Sequence, residues 1–446
     1  MGTGPAGGRA APGGAILAAM AQASLWLYRA LLRLGLPIAV PWLLLRDRLS
    51  GKRRPRFAER MARRLPELAP DGIWVQAVSV GEVELTRRLL RELAARRPQL
   101  PVLLTATTAA GLELARRTAA GGVSVLPCPL DLPGPVARVF EAARPRLLVL
   151  VETELWPELL HQAGRRGVPV AVVNGRLSDA SATRYRRARG LLAPLLAPLS
   201  LALVRGRADS ERFASLGVHG ERIVVTGNIK YDLEPDPAPL DWAGRLAELA
   251  ARRPVVVAGS TMEGEEAVVL EAAAGAARRG GPLLLVLAPR HPERFDAVAR
   301  LLEERGIAFA RRSALDSAAA ACDVVLLDSI GELARVYRHA ALAFIGGSLI
   351  ATGGHNPLEP AAWAVPVLSG PHVFNFREVY QEMVAAGGAR LVADCAGLEA
   401  AIAGWLADPE EARRAGVAGR AVIEANRGAT ARTVDALLAL IDRGGP

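Results

Sequence analysis

The sequence predicts an α/β protein with two domains, each built on a mainly parallel β-sheet. The chain has 446 residues, a length that suggests two or three domains. From Ile73 onward, short apolar runs alternate with helical patterns, and such alternation implies a parallel sheet with helices on both faces. A proline-rich stretch, Pro235–Pro239, interrupts this alternation, so we place the domain boundary there.

Ten apolar runs have the length and composition of buried strands. Five precede the boundary: Ile73–Val78, Val102–Thr105, Leu147–Val151, Val168–Val173 and Leu201–Val204. Five follow it: Val255–Ala258, Leu283–Ala288, Val324–Leu327, Leu342–Ile345 and Val365–Leu368. Helical patterns lie between the strands, for example Val83–Arg97 and Trp156–Arg166. We therefore expect one domain over residues 65–232 and a second over residues 240–446.

The amino-terminal 64 residues differ from the rest in charge. They contain twelve Lys and Arg and two acids, so they carry all of the formal net charge of +10. An apolar stretch, Ala15 to Leu45, is interrupted by two arginines and two prolines. We interpret residues 15–64 as a membrane-anchoring segment whose basic cluster meets an anionic membrane surface, and residues 1–14 as a disordered tail. The alternative is an amphipathic helix packed on the globular body.

Composition and spacing argue against several functional classes. The chain beyond residue 64 is balanced in charge, so no nucleic-acid partner is indicated. Three widely separated cysteines indicate a reducing compartment, and no residue cluster has metal-ligand spacing, so we expect no required metal. No GxxxxGK[ST] loop occurs, which argues against ATP hydrolysis. The positive-inside rule places the bulk of the chain in the cytoplasm.

Polar residues at the ends of the predicted strands are the candidate site residues, because ligands of parallel sheets bind at that edge. Glu82 would open a helix, where it could act as a general base or simply stabilise the helix dipole. Glu152 and Glu154 directly follow a buried strand, and acids that are expensive to desolvate are often functional. Lys230 would lie at the hinge, facing the cleft between the domains.

The stretch Gly346–Trp363 is the most informative part of the second domain. A buried strand leads into two glycine pairs and then into Asn356 and Pro357, a pattern typical of a helix start. Such a loop forms an anion site in which free N–H groups point at the ligand, although an ordinary tight turn would have the same glycines. Glu359, in the first helical turn, could accept two ribose hydroxyls.

Further polar residues follow the other strands of the second domain. Arg290 could bind a phosphate through a forked pair of hydrogen bonds. Asp328–Glu332 and Gly370–Arg377 follow two further strands. Together these strand ends predict a broad, nucleotide-sized site. Two Rossmann-like domains facing a cleft, one with a nucleotide site and one with a lone carboxylate, describe a glycosyltransferase of the two-Rossmann (GT-B) kind.

Six motifs, in order along the chain, resemble those of the 3-deoxy-D-manno-octulosonic acid (Kdo) transferases of Gram-negative lipopolysaccharide synthesis. The motifs are Ser79–Glu82, Glu152–Pro157, Asn174–Ser178, Pro289–Phe295, Gly353–Glu359 and Gly370–Phe376. The resemblance extends from about residue 25 to about residue 440.

The resemblance implies transfer of Kdo from CMP-Kdo to the lipid A precursor (lipid IVA), with inversion and without a metal or cofactor. It implies a location on the cytoplasmic side of the inner membrane. It places the catalytic base on Glu82 and the residues that stabilise the transition state on Glu152 and Lys230. The implied CMP contacts are Pro289, Arg290, Ile330, Gly331, Glu332, Asn356, Pro357, Leu358 and Glu359.

Two other classes are compatible with parts of the sequence. A GT-B enzyme with another nucleotide sugar would share the architecture but should lack the CMP-site motifs as a set. A non-catalytic lipid-binding scaffold would explain the basic amino terminus, yet it would not need both Glu82 and the glycine-rich loop. Thermal stabilisation by CMP rather than UDP would separate these possibilities.

Overall fold

The computed structural model describes residues 22–35, 37, 41, 57–119, 121–251, 253–317 and 322–443. The chain divides into two compact units, Met1–Asp232 with Arg427–Pro446, and Leu233–Asn426. The predicted tail, residues 1–14, lies outside the described residues, as does much of the predicted anchoring segment, residues 15–64.

Residues 22–35 form an amphipathic helix that packs on the first unit through one face. On that face Leu25 is buried, and the Tyr28 hydroxyl donates a hydrogen bond of 2.7 Å to Asp131. Arg29 donates two hydrogen bonds, of 2.7 and 2.9 Å, to the fully buried carboxylate of Glu158. The helix is therefore fixed to the first unit by specific polar contacts.

The opposite face of this helix exposes large apolar side chains. They are Trp26, Leu27, Leu31 and Leu34, and the exposed fraction of Leu34 reaches 73%. Within the part of the chain that the structure describes, no helix combines the length and the apolar character needed to cross a membrane.

The first unit contains a seven-stranded sheet in which every pair of neighbouring strands is parallel. Its order is β3-β2-β1-β4-β5-β6-β7. Strands are added towards one edge from β1 to β3 and towards the other edge from β4 to β7, so the strand order reverses between β1 and β4. The strands are β1 (Ile73–Ala77), β2 (Val102–Ala106), β3 (Val123–Pro127), β4 (Leu147–Val151), β5 (Val170–Gly175), β6 (Leu199–Val204) and β7 (Ile223–Val225).

Helices cover both faces of this sheet. Alternate residues of β1 and β4 belong to two different apolar clusters, because successive side chains of a strand point to opposite faces. The α-helices are Phe57–Arg60, Val80–Arg96, Ala109–Thr118, Pro133–Ala143, Pro157–Arg165, Asp179–Arg187, Arg189–Leu196, Arg207–Ser215 and Ala429–Arg443, and the 3₁₀ turns are Gly220–Arg222 and Ile229–Tyr231.

The second unit contains another seven-stranded parallel sheet, of order β10-β11-β9-β8-β12-β13-β14. Its order reverses between β8 and β12. The strands are β8 (Val255–Thr261), β9 (Leu284–Pro289), β10 (Phe309–Arg311), β11 (Val324–Leu326), β12 (Leu342–Ile345), β13 (Val367–Ser369) and β14 (Ala389–Leu391).

The helices of the second unit connect these strands and build its core. Trp405 and Leu398 of one helix pack with β8 and β9 residues in a single apolar cluster. The α-helices are Ala243–Ala250, Glu265–Gly280, Phe295–Glu304, Leu333–Val336, Leu358–Ala362, Arg377–Ala385, Cys395–Ala407 and Pro409–Asn426, and the 3₁₀ turns are Pro292–Arg294, Arg312–Ser317, Tyr337–His339 and Phe374–Phe376.

All ten predicted strands are confirmed, with ends that agree within three residues. The four strands absent from the prediction are β3, β7, β10 and β14, which are the edge strands of the two sheets. Three of them have only three residues, and none has an uninterrupted buried pattern. An edge strand has one solvent-facing side, so it lacks the continuous apolar run that marks a central parallel strand.

The last helix, Ala429–Arg443, belongs to the first unit, whereas the predicted second domain extended to residue 446. Its apolar face buries Val434, Leu437 and Ile441 against the cluster that covers one face of the first sheet. Asp232 accepts hydrogen bonds from the backbone N–H groups of Gly428 and Thr430, where the helix begins. Burial of this face and the Asp232 cap together assign the helix to the first unit.

We expect Asp232→Ala to loosen this helix, because two backbone N–H groups at its start would lose their acceptor. The expected cost is about 1–2 kcal/mol in the free energy of local opening. Hydrogen exchange of residues 429–443 measures it, with the exposed Asp241→Ala as the matched control. Unchanged protection of the helix in Asp232→Ala would contradict the assignment of a capping role.

Candidate active site

Glu82 and Glu152 lie at the point where the strand order of the first sheet reverses. β1 and β4 are neighbours in that sheet, and each residue follows the carboxyl end of one of them. Parallel sheets bind ligands at such a reversal, because the loops that follow the two strands separate there and leave a crevice. Glu82 and Glu152, two of the carboxylates that the sequence singled out, thus follow neighbouring strands at this reversal.

Glu82 lies in the first turn of the helix Val80–Arg96 and takes part in its cap. The Ser79 hydroxyl accepts from the backbone N–H of Glu82 at 3.4 Å and donates to the Glu82 carboxylate at 2.9 Å. The second carboxylate oxygen accepts from the Val78 N–H at 2.7 Å. This arrangement is a variant of the capping box. Glu82 therefore stabilises the start of the helix, in addition to any role as a general base.

Burial raises the pKa of Glu82 to about 7. The hydrogen bonds from Val78 and Ser79 act in the opposite direction, whereas the negative charges of Glu154 and Glu152 add to the increase. Burial of Glu154 also raises the pKa of that side chain. A carboxylate with a pKa near 7 exchanges protons readily at neutral pH, which is the property that a general base needs.

Glu152 is nearly buried and pairs with two cations. Its Oε2 lies 2.7 Å from Arg176 Nε, and its Oε1 lies 3.7 Å from Lys230 Nζ. The backbone of Glu152 is left-handed, with φ of +58°, a conformation that costs energy in a residue other than glycine. Such strain is common at functional sites, where the surrounding structure holds it in place.

Lys230 is positioned by residues from three different parts of the first unit. Arg88, in the helix that carries Glu82, donates to the backbone carbonyls of Ile229 and Lys230 at 3.1 and 3.0 Å. Asn174 accepts from the Ile229 N–H, and Asn228 accepts from the Lys230 N–H. The structure thus brings Lys230 to Glu152, and it links this pair to the helix of Glu82.

Three residues that hold the pair Glu152 and Lys230 were not predicted as site residues. Arg88 gave no local signal, since it lies 141 residues from the carbonyl of Ile229 that it binds. Asn228 caps the turn Ile229–Tyr231, and its place two residues before Lys230 could have identified it. Arg176 stands in the motif Asn174–Ser178, and its position directly after β5 could have identified it.

In the second unit, the predicted CMP contacts follow neighbouring strands. The loop with Ile330, Gly331 and Glu332 follows β11, and Pro289 and Arg290 end β9 and begin the next turn. Asn356 and Pro357 end the long loop after β12, and Leu358 and Glu359 begin the helix that follows it. β11, β9, β8 and β12 are adjacent in that order and all parallel, so their carboxyl ends share one edge of the sheet.

Arg290 is an exposed guanidinium at this edge. Its backbone N–H donates to the Thr261 carbonyl at 2.9 Å, which fixes the residue beside the end of β8. Within the described residues its side chain has no ion-pair partner, so it is available to an anionic ligand. Burial lowers the pKa of His355 to about 4, and the positive charges of Arg290 and His291 contribute. Arg290 is bonded to the end of β8, the strand that neighbours β12 in the sheet.

Glu332 is held within the protein and is not a free acceptor. Its carboxylate accepts from Arg312 at 3.1 Å, from the indole N–H of Trp242 at 3.1 Å and from the Ser329 hydroxyl. Burial opposes its ionisation, but the hydrogen bonds from Ser329 and Arg312 outweigh burial and lower the pKa of Glu332. Ile330 is 64% exposed, so this loop offers backbone groups and an apolar side chain to a ligand.

The predicted helix start after Asn356 is wrong by one residue. The helix is Leu358–Ala362, and Pro357 precedes it. Asn356 accepts a hydrogen bond of 3.1 Å from the Leu358 N–H, which is the capping contact expected of it. Its amide nitrogen donates to Glu359 at 3.2 Å, and Glu359 lies in the first turn as predicted.

The expectation that free N–H groups of the glycine-rich loop point at a ligand is wrong for its first part. The N–H groups of Gly347, Ser348 and Leu349 donate to the carboxylate of Glu265 at 2.6–2.9 Å. Glu265 is fully buried and also accepts from the Met262 N–H. A buried carboxylate must be satisfied by donors, and this loop supplies three of them.

Within the described residues, no group of three or more His, Cys, Asp or Glu side chains is arranged to hold a metal ion. The expectation that no metal is required stays a prediction.

Comparison with known proteins identifies relatives over most of the chain. Residues 54–233 match a family model described as 3-deoxy-D-manno-octulosonic-acid transferase (kdotransferase). A 3-deoxy-D-manno-octulosonic acid transferase of Haemophilus influenzae is 38% identical over 403 residues, which cover 89% of this chain and 94% of the relative. The transferase of the same name in Bordetella pertussis is 37% identical over 419 residues, covering 90% and 96%.

Solved structures share the fold at low identity. The crystal structure of a UDP-GlcNAc 2-epimerase from Neisseria meningitidis matches with a TM-score of 0.54 and 14% identity, covering 82% of this chain and all of that one. This likeness concerns the fold alone. The matches with the transferases of Haemophilus influenzae and Bordetella pertussis cover nearly the whole length of those two proteins, and these matches establish the function. This chain therefore belongs to the 3-deoxy-D-manno-octulosonic acid (Kdo) transferase family, the glycosyltransferases that transfer Kdo in lipopolysaccharide biosynthesis.

Proposed function

We propose that this Kdo transferase uses CMP-Kdo as donor and the lipid A precursor (lipid IVA) as acceptor, and that it transfers the sugar with inversion. Glu82 is the general base. The observation that carries this proposal is the placement of Glu82 at the sheet reversal, with a pKa of about 7 caused chiefly by burial. A group of that pKa accepts a proton at neutral pH, whereas an ordinary carboxylate is a much weaker base.

The proposed reaction is a single displacement at the anomeric carbon of Kdo. The acceptor hydroxyl oxygen forms a bond to that carbon, and its proton passes to the Glu82 carboxylate. The bond from the anomeric carbon to the phosphate oxygen breaks, and CMP departs with the electron pair. One displacement of this kind inverts the anomeric centre. We expect it to need neither a metal nor a cofactor.

Glu152 and Lys230 support this step in our proposal. Lys230 supplies a positive charge that stabilises anionic groups in the transition state, and Glu152 holds the ammonium group in place at 3.7 Å. The carbonyl contacts from Arg88 support the proposal, because they prevent the turn that carries Lys230 from moving away from the helix of Glu82.

We infer that the second unit binds the CMP part of the donor. Arg290, exposed and beside the end of β8, would bind the phosphate. The Glu359 carboxylate would accept the ribose hydroxyls, and Pro289, Ile330, Gly331, Glu332, Asn356, Pro357 and Leu358 would line the nucleoside. The parallel β9, β11 and β12 support this grouping, since they bring these residues to one sheet edge. A GT-B enzyme with a different nucleotide sugar is the alternative.

We also propose that residues 22–35 lie in the interface of the inner membrane on its cytoplasmic side. The exposed fractions of Trp26 (58%), Leu31 (62%) and Leu34 (73%) support this, as does the buried ion pair that fixes the other face. An amphipathic helix with such a face is typical of interfacial anchoring. The basic charge of the amino-terminal 64 residues favours an anionic lipid surface.

Glu82→Gln should lower kcat by about 10²–10⁴, because the amide cannot accept the acceptor proton. The assay supplies CMP-Kdo, generated in situ, and a tetraacylated lipid A precursor, and it reads the product by mass. Glu84→Gln, on the same helix and half-exposed, is the matched control and should keep full activity. CMP, but not UDP, should raise the Tm of wild type and Glu82→Gln alike. An active Glu82→Gln enzyme would overturn the assignment of the base.

The wild-type enzyme should lose activity in acid with an apparent pKa of about 7 in kcat/KM. Below that pH, Glu82 is protonated and cannot take a proton, so the rate should fall about tenfold per pH unit. Above it, Glu82 is ionised and the rate should reach a plateau. A profile that stays flat down to pH 5 would show that the base has an ordinary carboxylate pKa.

The double variant Leu31→Glu/Leu34→Glu should weaken binding to vesicles that contain anionic phospholipids. Each leucine that no longer enters the interface should cost about tenfold in partitioning. Sedimentation with vesicles measures this effect. Val417→Glu, at a position 50% exposed on a helix of the second unit, is the control and should bind like wild type. Equal binding by the double variant would contradict interfacial anchoring by this helix.

A further inference from the structure

Arg176 is a residue of the first unit that the proposed mechanism does not use. It directly follows β5 and stands in the motif Asn174–Ser178. Its Nε lies 2.7 Å from Glu152 Oε2, so it shares that carboxylate with Lys230. The exposed fraction of the Arg176 side chain is 42%, compared with 10% for Glu152. Arg176 is thus the solvent-facing member of this cluster of three.

The backbone on both sides of Arg176 is fixed. The Thr153 hydroxyl, from the loop after β4, donates to the Arg176 carbonyl at 2.6 Å. The following N–H, of Leu177, donates to the buried Asp209 carboxylate at 3.0 Å. Asn174 has φ of +51° and accepts from the Ile229 N–H, which ties this loop to the turn that carries Lys230. Arg176 is therefore presented on a rigid loop.

Other arginines of this chain show what a structural ion pair with a buried carboxylate looks like. Arg29 binds Glu158 through two nitrogens, and its side chain is 19% exposed. Arg294 binds Glu266 in the same forked way and is also 19% exposed. In both pairs the planar fork of the guanidinium is used by the protein.

Arg176 differs from these structural pairs. Its close contact with Glu152 is made by Nε, and its two terminal nitrogens donate no hydrogen bond to a described residue. Its fork is therefore available to a ligand. A guanidinium fork matches the two oxygens of a carboxylate or phosphate, and it binds them more strongly than a neutral donor does.

We propose that Arg176 binds an oxyanion of a substrate, and that Glu152 orients the guanidinium for this purpose. This inference rests on the proposed function and assigns its site a further substrate-binding residue. Glu152 bears one negative charge against the two positive charges of Arg176 and Lys230, so the cluster carries one net positive charge for an anion. Apart from the CMP phosphate, which is assigned to Arg290, two oxyanions are available in the reaction: the carboxylate of the sugar acid and a phosphate of the lipid acceptor.

The experiment compares wild type with Arg176→Gln and Arg176→Lys in the full-length protein. Arg97→Gln, which removes an exposed ion pair of the same unit, is the control. Initial rates give kcat and the KM of each substrate. Binding of the free sugar acid, of the detergent-solubilised lipid acceptor and of CMP is measured separately, so the result does not depend on turnover. The Tm of each variant reports folding.

We expect Arg176→Gln to weaken binding of one substrate, and to raise its KM, by about 10–100-fold, since a charge-assisted forked contact is lost. Arg176→Lys should recover part of this loss, because it keeps the charge without the fork. A loss confined to the sugar acid identifies the donor carboxylate, and a loss confined to the lipid identifies the acceptor phosphate. CMP binding and Arg97→Gln should stay at wild-type values.

Two results would overturn the proposal. One is unchanged binding of both substrates, with or without a lower kcat, which would leave Arg176 as a support of Glu152. The other is a loss of all binding together with a lower Tm in both Arg176 variants, which would show a folding role. If wild type binds its substrates but makes no Kdo product, the proposed function fails, and the binding data still decide the role of Arg176.

Discussion

The parallel pairing of the strands is the constraint on which the rest of this structure depends. In a parallel sheet every strand ends at the same edge, and hydrogen bonding fixes the spacing between those ends. The loops after β1 and β4 therefore start side by side and border one crevice, although Glu82 and Glu152 are far apart in the chain. The same geometry collects the loops after β11, β9, β8 and β12 in the second unit. Residues that are far apart in the chain thus reach one site, because each of them directly follows its own strand.

Buried carboxylates position the functional loops of this chain. Glu265 accepts three backbone N–H groups of the glycine-rich loop, and Asp209 accepts the N–H that follows Arg176. Asp131 accepts from the N–H groups of Glu158 and Leu159, at the start of the helix Pro157–Arg165. Each carboxylate orders a loop or helix end that has no regular secondary-structure partner. The cost of burying the charge is offset by these hydrogen bonds.

Two of the left-handed residues of the first unit belong to its candidate active site. Glu152 and Asn174, which follow or end adjacent strands, both have left-handed backbones. Their side chains are held by Arg176 and Lys230 in one case and by the Ile229 N–H in the other. These contacts compensate for the unfavourable backbone and keep the cationic side chains at the sheet edge.

The sequence by itself determined the central strands, the helix start at Glu82, and the family. Each of these depends on residues that are close in the chain, or on motifs that can be read one at a time. Only the tertiary structure decided the four edge strands, because their pattern is completed by a neighbour in the sheet. It also decided that the last helix covers the first sheet and that Glu265 takes the loop N–H groups. These outcomes depend on which groups from distant parts of the chain are buried together or hydrogen-bonded to each other. The periodicity of one segment does not indicate these partners.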